Sequence, residues 1–264
     1  MLFDLQSPGR RRIIKVVYAM LAILLAVGLV GFGIGSDATG GLSEIFGGGG
    51  ADTGFEDEID DAEKRAAETP KNPAAQLELV TLYIQQGNQQ LDADEQTGQP
   101  LVTADASESY GKAADAWVAY LKLKPPKPDT GAAIQLANAH FLLAQNATSA
   151  AEARTEVENA AEAQQVAADA DPSRGNLGNL ALYLYFAGDF AKADQAAAAA
   201  IAETPKEDQA SSQKQFDQIK QQAEAFKKQV AQEQKQGAAG GDNPLGGSGG
   251  TGGALGGGSS LGTP

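Results

Sequence analysis

The 264-residue sequence contains no cysteine and only one histidine, His140. The absence of cysteine excludes a disulfide framework, a thiol nucleophile and lipid attachment through an N-terminal cysteine. A single histidine cannot form the imidazole pairs on which many zinc sites depend, and no phosphate loop ending in Gly-Lys-Ser or Gly-Lys-Thr occurs. We therefore expect no catalytic residues, no metal and no cofactor, and we interpret His140 as a packed or hydrogen-bonded core residue.

Basic residues are also scarce, with 20 Lys and Arg against 34 Asp and Glu and a net charge of −14. Four of them, Arg10, Arg11, Arg12 and Lys15, cluster near the start, which leaves the rest of the chain more acidic still. Because binding to nucleic acid depends on positive charge against phosphates, we expect no nucleic acid partner. The acidic run at residues 52–63 is typical of a solvated, self-repelling face, and a cation site is the alternative.

Only one long hydrophobic run is present, from Val16 to Ile34. It carries no charge and is long enough to span a hydrocarbon core of about 30 Å. The basic cluster before it favours a cytoplasmic N-terminus. We predict a cytoplasmic tail at residues 1–15 and a transmembrane helix in the cytoplasmic membrane at residues 16–35, with everything after it outside. A cleaved secretory signal is the alternative, although the run exceeds the usual apolar core of such signals.

Two segments rich in glycine divide the remainder of the chain. Residues 36–54 read as a linker, and residues 236–264, rich in Gly, Ser and Ala, have too little apolar surface to fold, so we predict a disordered tail. Residues 55–235 between them lack such composition. They are predicted to form one helical domain.

The clearest pattern in that domain runs from Arg174 to Pro205. Large apolar residues three and four apart indicate the buried stripe of a first helix. Gly188 provides a residue that accepts the left-handed backbone common at helix ends, and Pro205 cannot continue a helix interior. Small residues spaced along a second helix would let the two helices approach closely. The residues concerned are Leu177, Leu180, Ala181 and Leu184 on the first helix and Ala193, Ala197 and Ala200 on the second.

This stretch resembles one 34-residue unit of the tetratricopeptide repeat (TPR) family. A single helical hairpin cannot bury its own apolar face, so further copies are expected. The string Ala-Glu-Thr-Pro-Lys occurs at residues 67–71 and again at 202–206, which predicts the same helix ending at both places. Aligning Gly87 with Gly188 gives another unit with an insertion at residues 88–107, and a middle unit around Leu136 and Phe141 has a longer connection. The resemblance implies an all-α TPR solenoid of about three repeats.

Helices are also predicted before and after these repeats. Phe55, Ile59 and Ala62 share one face of a leading helix that ends at Pro70 and packs on the first repeat. A later stripe, spaced by three and four, is similar to the helix that closes many TPR arrays, and a free coiled-coil seam is the alternative. That stripe comprises Phe216, Ile219, Ala223, Phe226 and Val230.

The resemblance implies a concave groove for binding another protein, lined by first-helix residues. Carried onto this chain, these are Leu77, Thr81, Ile84, Ile134, Asn138, Phe141, Leu182, Tyr185 and Phe186. The set is mostly apolar and lacks the Lys and Arg of TPR domains that clamp acidic C-termini, so we expect an apolar or amphipathic segment in the groove. The alternative is that the chain fills the groove itself, through its leading helix or residues 216–230.

Two functions are consistent with these features. One is a membrane-anchored holding chaperone, or ancillary factor at the secretion machinery, that binds exported proteins. Translocon subunits are among its expected partners. The other is an adaptor that recruits one defined envelope protein. The layout, a basic tail, one span and an outside repeat domain, is similar to that of bacterial translocon-associated TPR proteins. We expect no small-molecule substrate.

Overall fold

A computed structural model describes residues 54–94 and 99–239. These residues form an all-α domain, as the sequence predicts, with one short two-stranded ribbon. The elements are α1 (Gly54–Glu68), α2 (Pro73–Gln89), β1 (Asp92–Ala93), β2 (Pro100–Leu101), α3 (Ala104–Lys122), α4 (Thr130–Asn146), α5 (Ala150–Ala170), α6 (Arg174–Ala187), α7 (Phe190–Ala202) and α8 (Gln209–Ala239).

The predicted transmembrane segment, 16–35, lies outside the described residues, as do the linker up to residue 53 and the tail from residue 240. Among the helices that are described, none combines the length and apolar character needed to cross a membrane. Helix α8 continues to Ala239, four residues beyond the predicted end of the helical domain.

The helices pack in the order of the chain. Three hairpins follow one another, α2 with α3, α4 with α5 and α6 with α7, and each first helix also contacts the preceding second helix. Helix α1 packs on α2, and α8 packs on α6, α7 and α5. Fully buried alanines lie at the centre of these contacts, including Ala62, Ala113, Ala133, Ala167 and Ala193. Their small side chains allow the close helix approach that the spacing predicts.

Side-chain caps explain where the helices begin. Six helices, α2 to α7, start after a residue whose side-chain oxygen accepts a backbone N–H of the first turn. Such a cap contributes about 1 kcal/mol of stability. The capping residues are Asn72, Thr103, Asp129, Ser149, Ser173 and Asp189.

The hairpin of α6 and α7 confirms the pattern read from residues 174–205. Leu180, Ala181 and Ala193 are buried, and Gly188 ends α6 in the left-handed conformation, at φ 89°. The repeated Ala-Glu-Thr-Pro-Lys string also forms the same ending twice. Thr69 Oγ1 donates to the carbonyl of Arg65 at 2.7 Å, and Thr204 Oγ1 donates to the carbonyl of Ala200 at 2.9 Å.

Gly87 plays a different role from the one its alignment with Gly188 implies. It lies inside α2, with no left-handed backbone, and α2 continues to Gln89. A Cβ atom at Gly87 would lie 2.5 Å from Cε1 of Tyr110, a residue of α3. The glycine is therefore needed for close packing between the two helices rather than for a turn.

Both predicted insertions differ in the structure. The first is shorter than residues 88–107, because α2 ends at Gln89 and α3 begins at Ala104, and it contains the antiparallel β1–β2 ribbon. The middle hairpin has no long connection, since only residues 147–149 separate α4 from α5. The pattern Ser149-x-x-Glu152 starts α5 directly after this short connection. Ser149 caps the helix, and Glu152 accepts a hydrogen bond from the Thr148 backbone N–H at 2.9 Å. The extra length lies within α5.

Two polar residues of the middle hairpin are buried in the core and hydrogen-bonded there, although Oε1 of Gln164 has no partner among the described residues. His140 is buried, and its Nδ1 hydrogen-bonds Oε2 of Glu156 at 2.8 Å, which confirms its interpretation as a core residue. Gln164, where the repeat pattern has an apolar residue, is completely buried and donates through Nε2 to the backbone carbonyl of Asn176 at 3.1 Å. This bond ties α5 to α6.

The ends of the array are closed as predicted. Ile59 and Ala62 of α1 are buried, and the acids of α1 from Glu56 to Glu63 are exposed to solvent. The predicted stripe of α8, residues 216–230, is buried against the last hairpin. Because its apolar residues are covered within the chain, α8 is a closing helix and not a free coiled-coil seam.

Candidate binding face

The first helices of the three hairpins, α2, α4 and α6, leave one stripe each exposed. On each helix a set of exposed or half-buried positions recurs at spacings of three and four, which places its members on one side of the helix. We call this surface the first-helix face. It comprises Ala74, Leu77, Glu78, Thr81 and Gln85 of α2, Gly131, Ile134, Gln135, Asn138 and Phe141 of α4, and Gly175, Asn179 and Leu182 of α6.

Four partly exposed apolar side chains make this face suited to hydrophobic contact. Leu77, Ile134, Phe141 and Leu182 are half-buried and rest on the hydrophobic core. Each therefore keeps part of its apolar surface in contact with water. Burying such surface contributes about 25 cal/mol per Å², so a nonpolar segment laid across the face would be stabilised.

The junction of α4 with α6 organises the centre of the face. The rings of Phe141 and Tyr183 lie 5.3 Å apart, centroid to centroid, in a tilted arrangement. The hydroxyl of Tyr183 donates to Oδ1 of Asn138 at 3.3 Å. Tyr183 itself is buried, and its burial raises the pKa of the phenol above the ordinary value. The neutral hydroxyl of Tyr183 thus binds the amide oxygen of Asn138, whose side chain is otherwise exposed.

Six of the nine predicted groove residues lie on this face: Leu77, Thr81, Ile134, Asn138, Phe141 and Leu182. Thr81 turns its hydroxyl inward, donating to the carbonyl of Leu77 at 3.2 Å, and Asn138 is exposed. These residues come from three successive hairpins whose first helices contact one another: α2 contacts α4, and Phe141 and Asn138 of α4 contact Tyr183 of α6.

The other three predicted groove residues are interior. Ile84 and Tyr185 are each 3 % exposed, and the Tyr185 hydroxyl donates to Asp194 of α7 at 2.7 Å. Phe186 packs edge-on against Phe226 of α8, with ring centroids 6.0 Å apart. Helix α8 therefore covers Phe186 of the third hairpin, whereas Ile84 is buried within the first hairpin.

The closing helix is held by charge as well as by apolar contact. Lys220 of α8 donates to both carboxylate oxygens of Asp194, at 2.7 and 2.9 Å. Hydrogen bonds from Lys220 and Tyr185 lower the pKa of Asp194. Glu233, further along α8, accepts from the backbone N–H of Ala150 at 3.4 Å. These contacts hold α8 against α7 and the start of α5.

Charge is distributed very unevenly between the two sets of helices. The first helices contain only Glu78, His140 and Arg174 as charged or titratable acid–base residues apart from tyrosine. Glu78 is paired with Arg65 of α1 at 2.7 Å. The second helices carry Asp105, Glu108, Lys112, Asp115 and Lys122 on α3, Glu152, Arg154, Glu156, Glu158, Glu162 and Asp169 on α5, and Lys192 and Asp194 on α7.

The face therefore offers apolar side chains and neutral amides in a chain with a net charge of −14. Gln85, Gln135 and Asn179 were not predicted as site residues. The signal that identifies them is the near absence of Asp, Glu, Lys and Arg from three helices that are 17, 17 and 14 residues long. Amide side chains can donate to and accept from a peptide backbone without requiring a counter-charge.

Comparison with protein-family models, curated proteins and solved structures finds no match to this chain.

Proposed function

We propose that this protein is a membrane-anchored, extracytoplasmic protein of the tetratricopeptide repeat type that binds apolar segments of other proteins. The observation that carries the proposal is the first-helix face, where Leu77, Ile134, Phe141 and Leu182 stay partly exposed on helices with almost no charge. A surface that only needed to be soluble would carry charges, as the second helices do. The face is suited to a nonpolar partner.

The proposed role is that of a holding chaperone, or ancillary factor, for exported proteins near the secretion machinery. Two features support it. The predicted span at residues 16–35 would keep the helical domain next to the membrane, and the face has few directional polar contacts to select one sequence. A surface of this kind favours many related segments over one partner. We place the protein in the cytoplasmic membrane, with its helical domain outside.

The test is the binding of an uncharged Leu- and Ala-rich peptide to the full-length protein in detergent, followed by fluorescence anisotropy. We compare the double variant Gln135→Glu/Asn138→Asp with the control Gln218→Glu/Gln221→Glu. All four positions are exposed, and each variant adds two negative charges. Asp at position 138 can still accept from Tyr183, so the fold should survive.

We expect the face variant to bind at least about tenfold more weakly, because a carboxylate next to an apolar ligand loses solvation. The control variant should bind like the unmodified protein. Equal binding by both variants would show that the peptide binds elsewhere. Saturation by a single natural partner, with no binding of exported segments in general, would replace the chaperone with an adaptor for one envelope protein.

A further inference from the structure

The edge of the first-helix face that adjoins α1 is acidic. Helix α1 packs on α2, and Arg65 of α1 pairs with Glu78 of the face at 2.7 Å. This pair shows which side of α1 borders the face. Glu58 and Asp61 precede Arg65 by seven and four residues, so they lie on the same side of the helix. Both are exposed.

Nearby bases neutralise this edge only in part. Lys64 pairs with Asp61 at 3.1 Å, and Arg65 is already committed to Glu78. Asp57 and Glu68 flank the same side of α1 and add two further carboxylates. We call Asp57, Glu58, Asp61 and Glu68 the acidic edge. Apart from Glu78, which is paired with Arg65, the face is uncharged along its length, and it is negative where it meets α1.

We propose that the partner segment is apolar and uncharged where it crosses the first-helix face, and carries Lys or Arg where it reaches the acidic edge. This inference rests on the proposed function and names the chemistry of the bound segment. A Lys or Arg flank would meet Glu58 and Asp61, whereas an acidic flank would be repelled by them and by the net charge of −14. Charge complementarity of this kind contributes chiefly to partner choice and association rate.

The expected effect is modest, because the carboxylates are exposed. Pairs between exposed charges are weak, so two of them should favour a basic flank over an acidic one by about threefold to tenfold at low salt. The preference should fade in about 1 M salt, where the screening length falls to about 3 Å. The apolar contact should persist under those conditions.

The experiment measures the affinity of the full-length protein for three peptides with the same Leu- and Ala-rich core, flanked by two lysines, two glutamates or two serines. The edge variant Glu58→Gln/Asp61→Asn is compared with Glu162→Gln/Glu224→Gln, which removes two exposed carboxylates from α5 and α8. We expect the lysine peptide to bind tightest, and the edge variant alone to lose that preference.

Other outcomes separate the two proposals. Equal binding of all three peptides, still abolished by Gln135→Glu/Asn138→Asp, would leave the proposed function standing and overturn the basic flank. Binding of none of them would overturn both. If the lysine peptide bound only after removal of residues 240–264, the chain's own tail would be the occupant of the face, and the inference would be wrong.

Discussion

Replacing Gly87 with alanine tests how α2 and α3 pack together. Glycine inside a helix is about 1 kcal/mol less favourable than alanine, so propensity alone predicts that Gly87→Ala stabilises the protein. The structure predicts the opposite. The new Cβ would lie 2.5, 2.7 and 3.0 Å from three ring atoms of Tyr110, whereas carbon atoms pack best at about 3.5 to 4.0 Å.

The Tyr110 ring has little freedom to move away. It is 1 % exposed, and its hydroxyl donates to Oδ1 of Asn88 at 2.7 Å. Overpacking of this type costs about 1 to 3 kcal/mol, which offsets or exceeds the gain in helix propensity. We therefore expect Gly87→Ala to lower the free energy of unfolding by up to about 2 kcal/mol.

Gly111 of α3 provides a matched control, because a Cβ there meets no atom within 4 Å. Gly111→Ala should raise the stability by about 1 kcal/mol, which corresponds to a Tm increase of about 2 to 4 °C for a domain of this size. The assay is thermal unfolding of the full-length protein followed by far-ultraviolet circular dichroism. In a Tyr110→Leu background the cost of Gly87→Ala should disappear. If both alanine variants raised Tm equally, the packing of Tyr110 on α2 would be wrong.

Three further predictions concern other parts of the fold. Phe226→Ala should lower the free energy of unfolding by about 3 to 5 kcal/mol, because Phe226 is 7 % exposed and packs on Phe186. A Tm no lower than that of the exposed control Lys228→Ala would mean that α8 is not docked. Lys124→Gly should raise stability by about 1 kcal/mol, since Lys124 has φ 53° and glycine accepts that backbone freely; Lys127→Gly should give no such gain in the same melting assay. Burial raises the pKa of the phenols of Tyr83, Tyr110, Tyr183 and Tyr185 above the ordinary value of 10.0, so their contribution to stability is present below pH 10.0 and is lost as the pH rises further. Tyrosinate absorbance and helix content should therefore change together in alkali, and ionisation of all tyrosines near pH 10.0 in a fully helical protein would refute this.

The sequence predicted the helices well where local chemistry decides. Gly188 specifies a turn, because glycine accepts the left-handed backbone. The alanines of α7 specify a close helix pair, because their side chains are small. The stripe at residues 216–230 likewise predicted a closing helix, because its apolar residues need a surface and the last hairpin offers one. These features depend on residues close together in the chain.

Other features depend on contacts between distant residues. A glycine at position 87 reads as a turn signal until Tyr110, far along the chain, is known to pack against it. The repeat pattern predicts a longer connection around residues 147–149, whereas Ser149 and Glu152 form a cap that starts α5 there. Position within the repeat pattern assigns Ile84, Tyr185 and Phe186 to the groove. Their burial depends on partners such as Asp194 and Phe226, which the repeat pattern does not identify.

If the first-helix face is the binding surface, site-specific photocrosslinking in living cells should capture partners from it. A photoreactive residue is placed at Asn138 on the face and, as a control, at Glu162 on α5; both side chains are exposed. Position 138 should give adducts with many exported proteins, and position 162 should give few. Adding Gln135→Glu should reduce those from position 138. Equal adducts from both positions, or none from position 138, would mean that partners do not bind through the first-helix face.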